Sequence, residues 1–193
     1  MTSRAAAMEV TRERVLEAAA DSFTAQWYDD VTMRAIADAA GVALQTVVNH
    51  FGTKEALFAE ALGRWGDRIE ATRFGVVPGD LDAAITTLVD DYERTGDAAL
   101  RMLAIEERVP PVREPIARGR EGHERWCERT FPGALRGLRG AARRRRLAQL
   151  VVATDVYTWK LLRRDRGFDR SQTITAVREL VRALHDLPEE AGR

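Results

Sequence analysis

His123 and Cys127 stand four residues apart. On a helix that spacing puts the imidazole and the thiol on one face. Three chemistries fit the pair. The thiol could be a nucleophile with the imidazole as its base. It could be a redox sensor with a lowered pKa. Or it could be a small buried sulfur beside a hydrogen-bonded histidine, the commonest fate of such a pair. A metal site needs more, because His50, His123 and His185 have no ligand-type pairing. The chain has no Gly-rich phosphate loop and no nucleophile elbow. The expectation is therefore a protein that is not an enzyme, with no catalytic residue, metal or cofactor.

A second group of residues has a different use. Leu44, Gln45, Thr46, Val48, Asn49 and His50 mix amides, a hydroxyl, an imidazole and apolar groups over seven positions. Asn and Gln can pair bidentately with adenine, worth roughly 1–3 kcal/mol of discrimination. Leu44 and Val48 can touch thymine methyls. Thr46, His50 and Lys54 suit phosphate. The run Arg143 to Arg146 is another candidate, for nucleic acid or an acidic partner. Four consecutive residues point around a whole helical turn and form no single face, so a solvated, fraying helix start is expected there.

These side chains need elements to hold them. Val15, Ala19 and Phe23 recur every four residues and predict a first helix over 12–25, with Thr11 as its cap. Thr32 starts a second helix that Gly41 stops. A third runs from Leu44 to His50, and Thr53 caps a fourth. Asp80 caps the next, punctuated by Gly96. Another begins near Pro110 or Pro115. A Gly-rich loop over 132–140 leads to a long helix over 141–164, and Ser171 caps the last. The reading is all-α, with about nine helices and no sheet.

Composition sets the frame. The 193 residues are 45% apolar and 31% charged, in the range of a globular protein with a sizeable core. The short apolar runs exclude a membrane span and a secretory signal. The single cysteine fits a reducing compartment, so a cytoplasmic protein is expected. Lys plus Arg and Asp plus Glu balance at 30 each, so any nucleic-acid site must be local. Nearly all basic residues are Arg. With the abundant Ala, that suggests GC-rich coding rather than a demand for guanidinium groups.

The second and third helices, joined through Gly41-Val42, have the layout of a helix-turn-helix. Ile36, Ala37, Ala40, Val42 and Val47 would face inward. By spacing alone a merely structural hairpin fits as well. The segments Arg12 to Ala19, Thr32 to Val42 and Thr46 to Leu57 resemble the N-terminal domain of TetR-family transcriptional regulators. The likeness covers about residues 10 to 65 and includes the His50-Phe51…Lys54-Glu55…Leu57 exit. It implies a helix-turn-helix, three-helix head over 10–54, after a disordered tail over 1–9. It also implies a ligand-binding and dimerisation bundle over 55–193. The implied function is a homodimeric, ligand-responsive repressor bound to a double-stranded, pseudo-palindromic operator. A small apolar or amphipathic effector would release it.

By position, Thr32, Thr46, His50 and Lys54 match phosphate contacts. Arg34, Leu44, Gln45, Val48 and Asn49 match base-facing positions. The family's pocket lies after the fourth helix, and Tyr92, Met102, Trp126 and Tyr157 are the expected lining. The last two helices carry second apolar stripes: Ala148, Val152, Val156 and Trp159, then Ala176, Leu180, Ala183 and Leu187. Two copies of helices 141–164 and 171–187 would make a four-helix dimer interface. Two departures stand out. Trp27 takes the usual place of Gly, where a left-handed turn would cost roughly 1–2 kcal/mol. Ala43 replaces a Ser cap, a loss of about 1 kcal/mol.

Overall fold

The computed structural model describes the backbone of residues 2–187 and the side chains of 5–187. The described residues form helices and short turns with no strand among them. No helix among them is long and apolar enough to cross a membrane. They divide into two compact units.

The first unit takes the chain to Arg68 and residues 101–118. Helix α1 spans Thr2–Ala25, α2 Met33–Ala39, α3 Leu44–Phe51 and α4 Lys54–Phe74. The tail expected over 1–9 is instead helical from Thr2, and Thr11 is no cap. The cause is local: Ala5, Ala6, Ala7 and Met8 are strong helix formers. The Thr11 hydroxyl donates back to the Ala7 carbonyl at 2.9 Å, inside the helix. The core of the unit is Val15, Leu16, Ala19 and Phe23 from α1, Ile36 and Ala37 from α2, and Leu57, Phe58 and Ala61 from α4, all buried. Phe23 and Phe58 rings meet at 4.4 Å, with Tyr28 5.0 Å from Phe58. Outside this core, Arg12–Glu60, Glu13–Arg64 and Glu17–Arg68 tie α1 to α4 at successive turns. Such half-exposed pairs each contribute no more than about 1 kcal/mol. Trp27 needs no left-handed turn: its φ of −66° and ψ of 145° are extended, and the chain leaves α1 through a short 3-10 turn, Tyr28–Asp30.

The second unit takes residues 69–100 and the chain from Gly119. It holds most of α5 (Leu81–Ala104), the larger part of α6 (Arg113–Thr130), α7 (Gly140–Thr154), α8 (Val156–Lys160) and α9 (Arg170–Asp186). Ala84, Ile85, Leu88 and Val89 of α5, Trp126 of α6, Leu147 and Leu150 of α7, Trp159 of α8 and Val177 and Val181 of α9 form its buried core. Several expectations are corrected here. The helix expected over 141–164 is broken at Asp155, whose φ of −73° and ψ of 155° are extended and whose carboxylate accepts the Tyr157 N–H at 2.8 Å. An Asp offers its own backbone partner and so competes with a continuous helix. Past α8 the chain runs through a π-helical turn, Leu161–Asp165. Asp169 caps α9 in a reciprocal box with Gln172, two residues before the expected Ser171. The Arg143–Arg146 segment is not a loose solvated start. Arg146 is buried and donates to the Ala134 and Leu184 carbonyls, while Arg143 pairs with Glu128 at 3.0 Å.

The acidic edge of α5 organises the later helices. Glu93 accepts from Trp159 Nε1 at 2.9 Å and from Arg163 at 2.6 Å. Asp97 pairs with Arg164 at 2.8 Å, and Asp90 with Arg170 at 2.8 Å. Gly96 does not punctuate α5, which runs straight through it. It makes room for Trp159: a Cβ there would lie 2.7 Å from the ring's Cη2. Gly96→Ala is therefore expected to cost about 1–3 kcal/mol through overpacking. It should lower the urea midpoint, and an unchanged midpoint would show that Trp159 repacks freely.

Candidate nucleic-acid interface

Helix α2 starts because the Thr32 hydroxyl accepts the Ala35 N–H at 3.1 Å. It stops at Gly41, whose φ of 64° is left-handed. That conformation suits glycine, which carries no Cβ to clash. The turn through Val42 leads to Ala43, which caps α3 with no side-chain bond. At the other end Thr53 accepts the Ala56 N–H at 3.2 Å and starts α4. Ile36, Ala37 and Ala40 are buried, as are Val47 and Phe51 on the inner face of α3.

The outer face of α3 follows from that burial. Leu44, Gln45, Val48 and Asn49 lie on one side, at helical spacing. Gln45, Val48 and Asn49 are exposed, and Leu44, Thr46 and His50 are half-buried. Gln45 Nε2 donates to Asn49 Oδ1 at 2.8 Å, one turn away. Thr32 and Arg34 are exposed at the start of α2. These residues are thus grouped on two adjoining helices of one unit.

Lys54 differs from the rest. Its ammonium donates to the Tyr28 carbonyl at 2.5 Å and sits 4.1 Å from the centre of the Tyr28 ring. Burial lowers its pKa against the raising effect of Asp29 and Glu55. The Tyr28 hydroxyl donates to Glu55 at 3.0 Å, so Tyr28 holds the start of α4 by both its ends. Sequence reading missed Tyr28; its place at the start of the 3-10 turn carries no motif.

The residues expected around a ligand are scattered. Tyr92 and Trp126 are buried in the second unit and meet at Arg73: its guanidinium lies 4.6 Å from the Tyr92 ring centre, and Trp126 Nε1 donates to its carbonyl at 3.2 Å. Met102 is buried but belongs to the first unit. Tyr157 is 58% exposed, because the break at Asp155 re-aims α8. A cleft of about 320 Å³ in the second unit is lined by Phe131, Pro132, Ala134, Val181 and His185 among others, and by none of those four.

Arg73 anchors a buried polar cluster that the sequence did not reveal. It binds Asp91 at 2.7 Å, with both side chains almost fully buried. His123 Nδ1 is 3.4 Å from its Nη1. A guanidinium only donates, so Nδ1 accepts and the ring proton sits on Nε2. Nε2 is 3.0 Å from the Thr154 hydroxyl, which passes its own proton to the Leu150 carbonyl at 2.8 Å. Burial and then Arg73 push His123 down to about 3. Burial pushes Cys127 up to about 12. The nitrogen 3.9 Å from the thiol is Nε2, which already carries the ring proton and so cannot take the thiol's. The pair therefore makes no thiolate.

The comparisons with known proteins agree with the geometry. Residues 15–61 match the family described as bacterial regulatory proteins, tetR family. The matched segment takes in α2, α3 and the turn between them. No curated protein matches it. Among solved structures it is similar to a tetR-family transcriptional regulator from Streptomyces coelicolor, at 20% identity and a TM-score of 0.73 over 91% of this chain and 79% of that one. A transcriptional regulator from Rhodococcus sp. Rha1 gives 18% and 0.70, over 91% and 98%. A multidrug binding protein, EbrR, solved with imidazole, gives 20% and 0.63, over 94% and 98%. These structural likenesses concern the fold.

The histidine yields a pH prediction. Between about 6.5 and 3 the unfolded chain binds a proton at His123 that the folded chain refuses. Stability therefore falls as pH drops through that window and is unaffected by His123 above it. His123→Gln should flatten this part of the stability–pH curve by one proton. Equal slopes for the two proteins would mean that His123 titrates like a solvated residue.

Proposed function

We propose that the chain is a ligand-responsive repressor that binds a pseudo-palindromic operator as a homodimer and is released by a small apolar or amphipathic effector. The observation that carries the reading is the outer face of α3, with Gln45, Val48 and Asn49 turned to solvent over a buried apolar underside. Arg34, Leu44, Gln45, Val48 and Asn49 face bases in this reading. Thr32, Thr46, His50 and Lys54 hold phosphates. Lys54 keeps two N–H donors beyond the one given to Tyr28.

The dimer rests on unspent apolar surface. Helices α7 and α9 pack on each other, yet Val152 is 67% exposed and Leu180 and Leu187 are each 47% exposed. Ala148 and Ala183 extend the patch. Val156 and Trp159 drop out of the stripe, since both are buried in the core. Tyr157 and Leu161, exposed in their stead, join it. A second copy would cover this face as a four-helix interface. Twofold symmetry then sets half-sites about 34–36 Å apart, or a multiple.

The effector would bind in the second unit, where Tyr92 and Trp126 supply aromatic surface beside the polar groups of Arg73, His123 and Thr154. Helix α4 contributes residues to both units, which suits it to carry the signal. The effector must prefer the DNA-free state, or it shifts nothing.

Selection of a random duplex library at fixed salt should enrich an inverted repeat. Val152→Glu with Leu180→Glu should give a folded monomer by sedimentation and lose most operator affinity. A double variant that stays dimeric would exclude this face as the interface.

A further inference from the structure

The outer face of α3 carries two primary amides and no Lys or Arg. The two amides are not independent: Gln45 Nε2 donates to Asn49 Oδ1 at 2.8 Å although both side chains are exposed. A primary amide has two N–H donors and one carbonyl. With one N–H given to Asn49, Gln45 keeps its Oε1 and its second N–H side by side. In the major groove adenine presents an N6–H donor beside the N7 acceptor, which that edge complements. Guanine presents two acceptors, O6 and N7, and would set O6 against Gln45 Oε1. Asn49 Oδ1 accepts that N–H on one of its two lone pairs, which holds its carbonyl toward Gln45. Leu44 and Val48 flank the pair at helical spacing, as apolar surface for a thymine methyl.

We propose that Gln45 reads a single adenine in each half-site and that Asn49 is a positioning residue, holding the Gln45 amide in the adenine-reading orientation. The two side chains thus read one A·T pair as a unit. This rests on the DNA-binding role of α3 given above.

The test is random-duplex selection with the full-length wild type, Gln45→Ala, Asn49→Ala and the double variant, each confirmed folded by helical circular dichroism. Wild type should enrich adenine at one position per half-site. Each single variant should relax that same position, by about 10- to 100-fold. The double variant should lose no more than Gln45→Ala alone. If Asn49→Ala relaxes a different position, or leaves all positions unchanged, the coupling is wrong. Guanine or cytosine at the Gln45 position also overturns it, while an enriched palindrome would still uphold the regulator. No enrichment by folded wild type would overturn the DNA-binding role itself, and this inference with it.

Discussion

An eight-residue helix is too short to hold itself in water, where isolated helices below about 12–15 residues are marginal. Helix α3 also starts at Ala43, with no side chain to satisfy its first N–H groups. It exists because Val47 and Phe51 are buried against the rest of the first unit. Two fully buried apolar side chains are worth roughly 3–6 kcal/mol, which exceeds the missing cap several-fold. That burial fixes the rotation of the helix about its axis. The rotation in turn turns Gln45, Val48 and Asn49 outward. The outer face is thus a consequence of the underside, and the core of α1, α2 and α4 is what makes the underside possible.

The second unit uses a costlier device. Arg73 and Asp91 are buried together, and such a pair is weak support for stability because both ions lose water. What it does give is orientation. Arg73 reaches Asp91 with its guanidinium, lies over Tyr92, faces His123 and takes the Trp126 N–H on its carbonyl. One residue therefore sets the direction of groups from two further helices. Removing one partner would leave the other charge buried alone, at a cost of about 3–5 kcal/mol. The neutral His123 belongs to the same logic, because a second cation beside Arg73 is disfavoured in that setting.

The first unit was the more legible in the sequence. Thr32 and Thr53 act as the caps their spacing suggests, and Gly41 makes the turn. Apolar periodicity found Val15, Ala19, Phe23 and Val47 because each lies on a helix with one buried face. What escaped was set by tertiary partners. The break at Asp155 has no Gly or Pro to mark it. Gly96 reads as a stop, yet its role is to admit Trp159 from another helix. Arg146 reads as one of four solvated cations, yet the carbonyls it serves come from distant chain. Tyr157 reads as a core aromatic, because the helical register that would bury it is interrupted two residues before it.

The charge distribution constrains how such a head could recognise an operator. The chain is neutral overall, and α3 brings no Lys or Arg of its own. Lys54 has one N–H committed to Tyr28. Arg12 and Arg64 are engaged with Glu60 and Glu13. Each phosphate neutralised by a cation releases counterions and adds non-specific affinity, a term left to residues outside α3 such as the exposed Arg14 and Arg34. Recognition on the proposed reading would then lean on neutral contacts: helix N-termini and hydroxyls toward phosphate, amides and apolar groups toward bases. Neutral contacts are short-ranged and directional. They reward a correctly placed duplex and give little for an incorrect one. On that reading the rigidity conferred by Val47 and Phe51 is the condition for base discrimination, because α3 brings no cation of its own and must hold its amides in place before the duplex arrives.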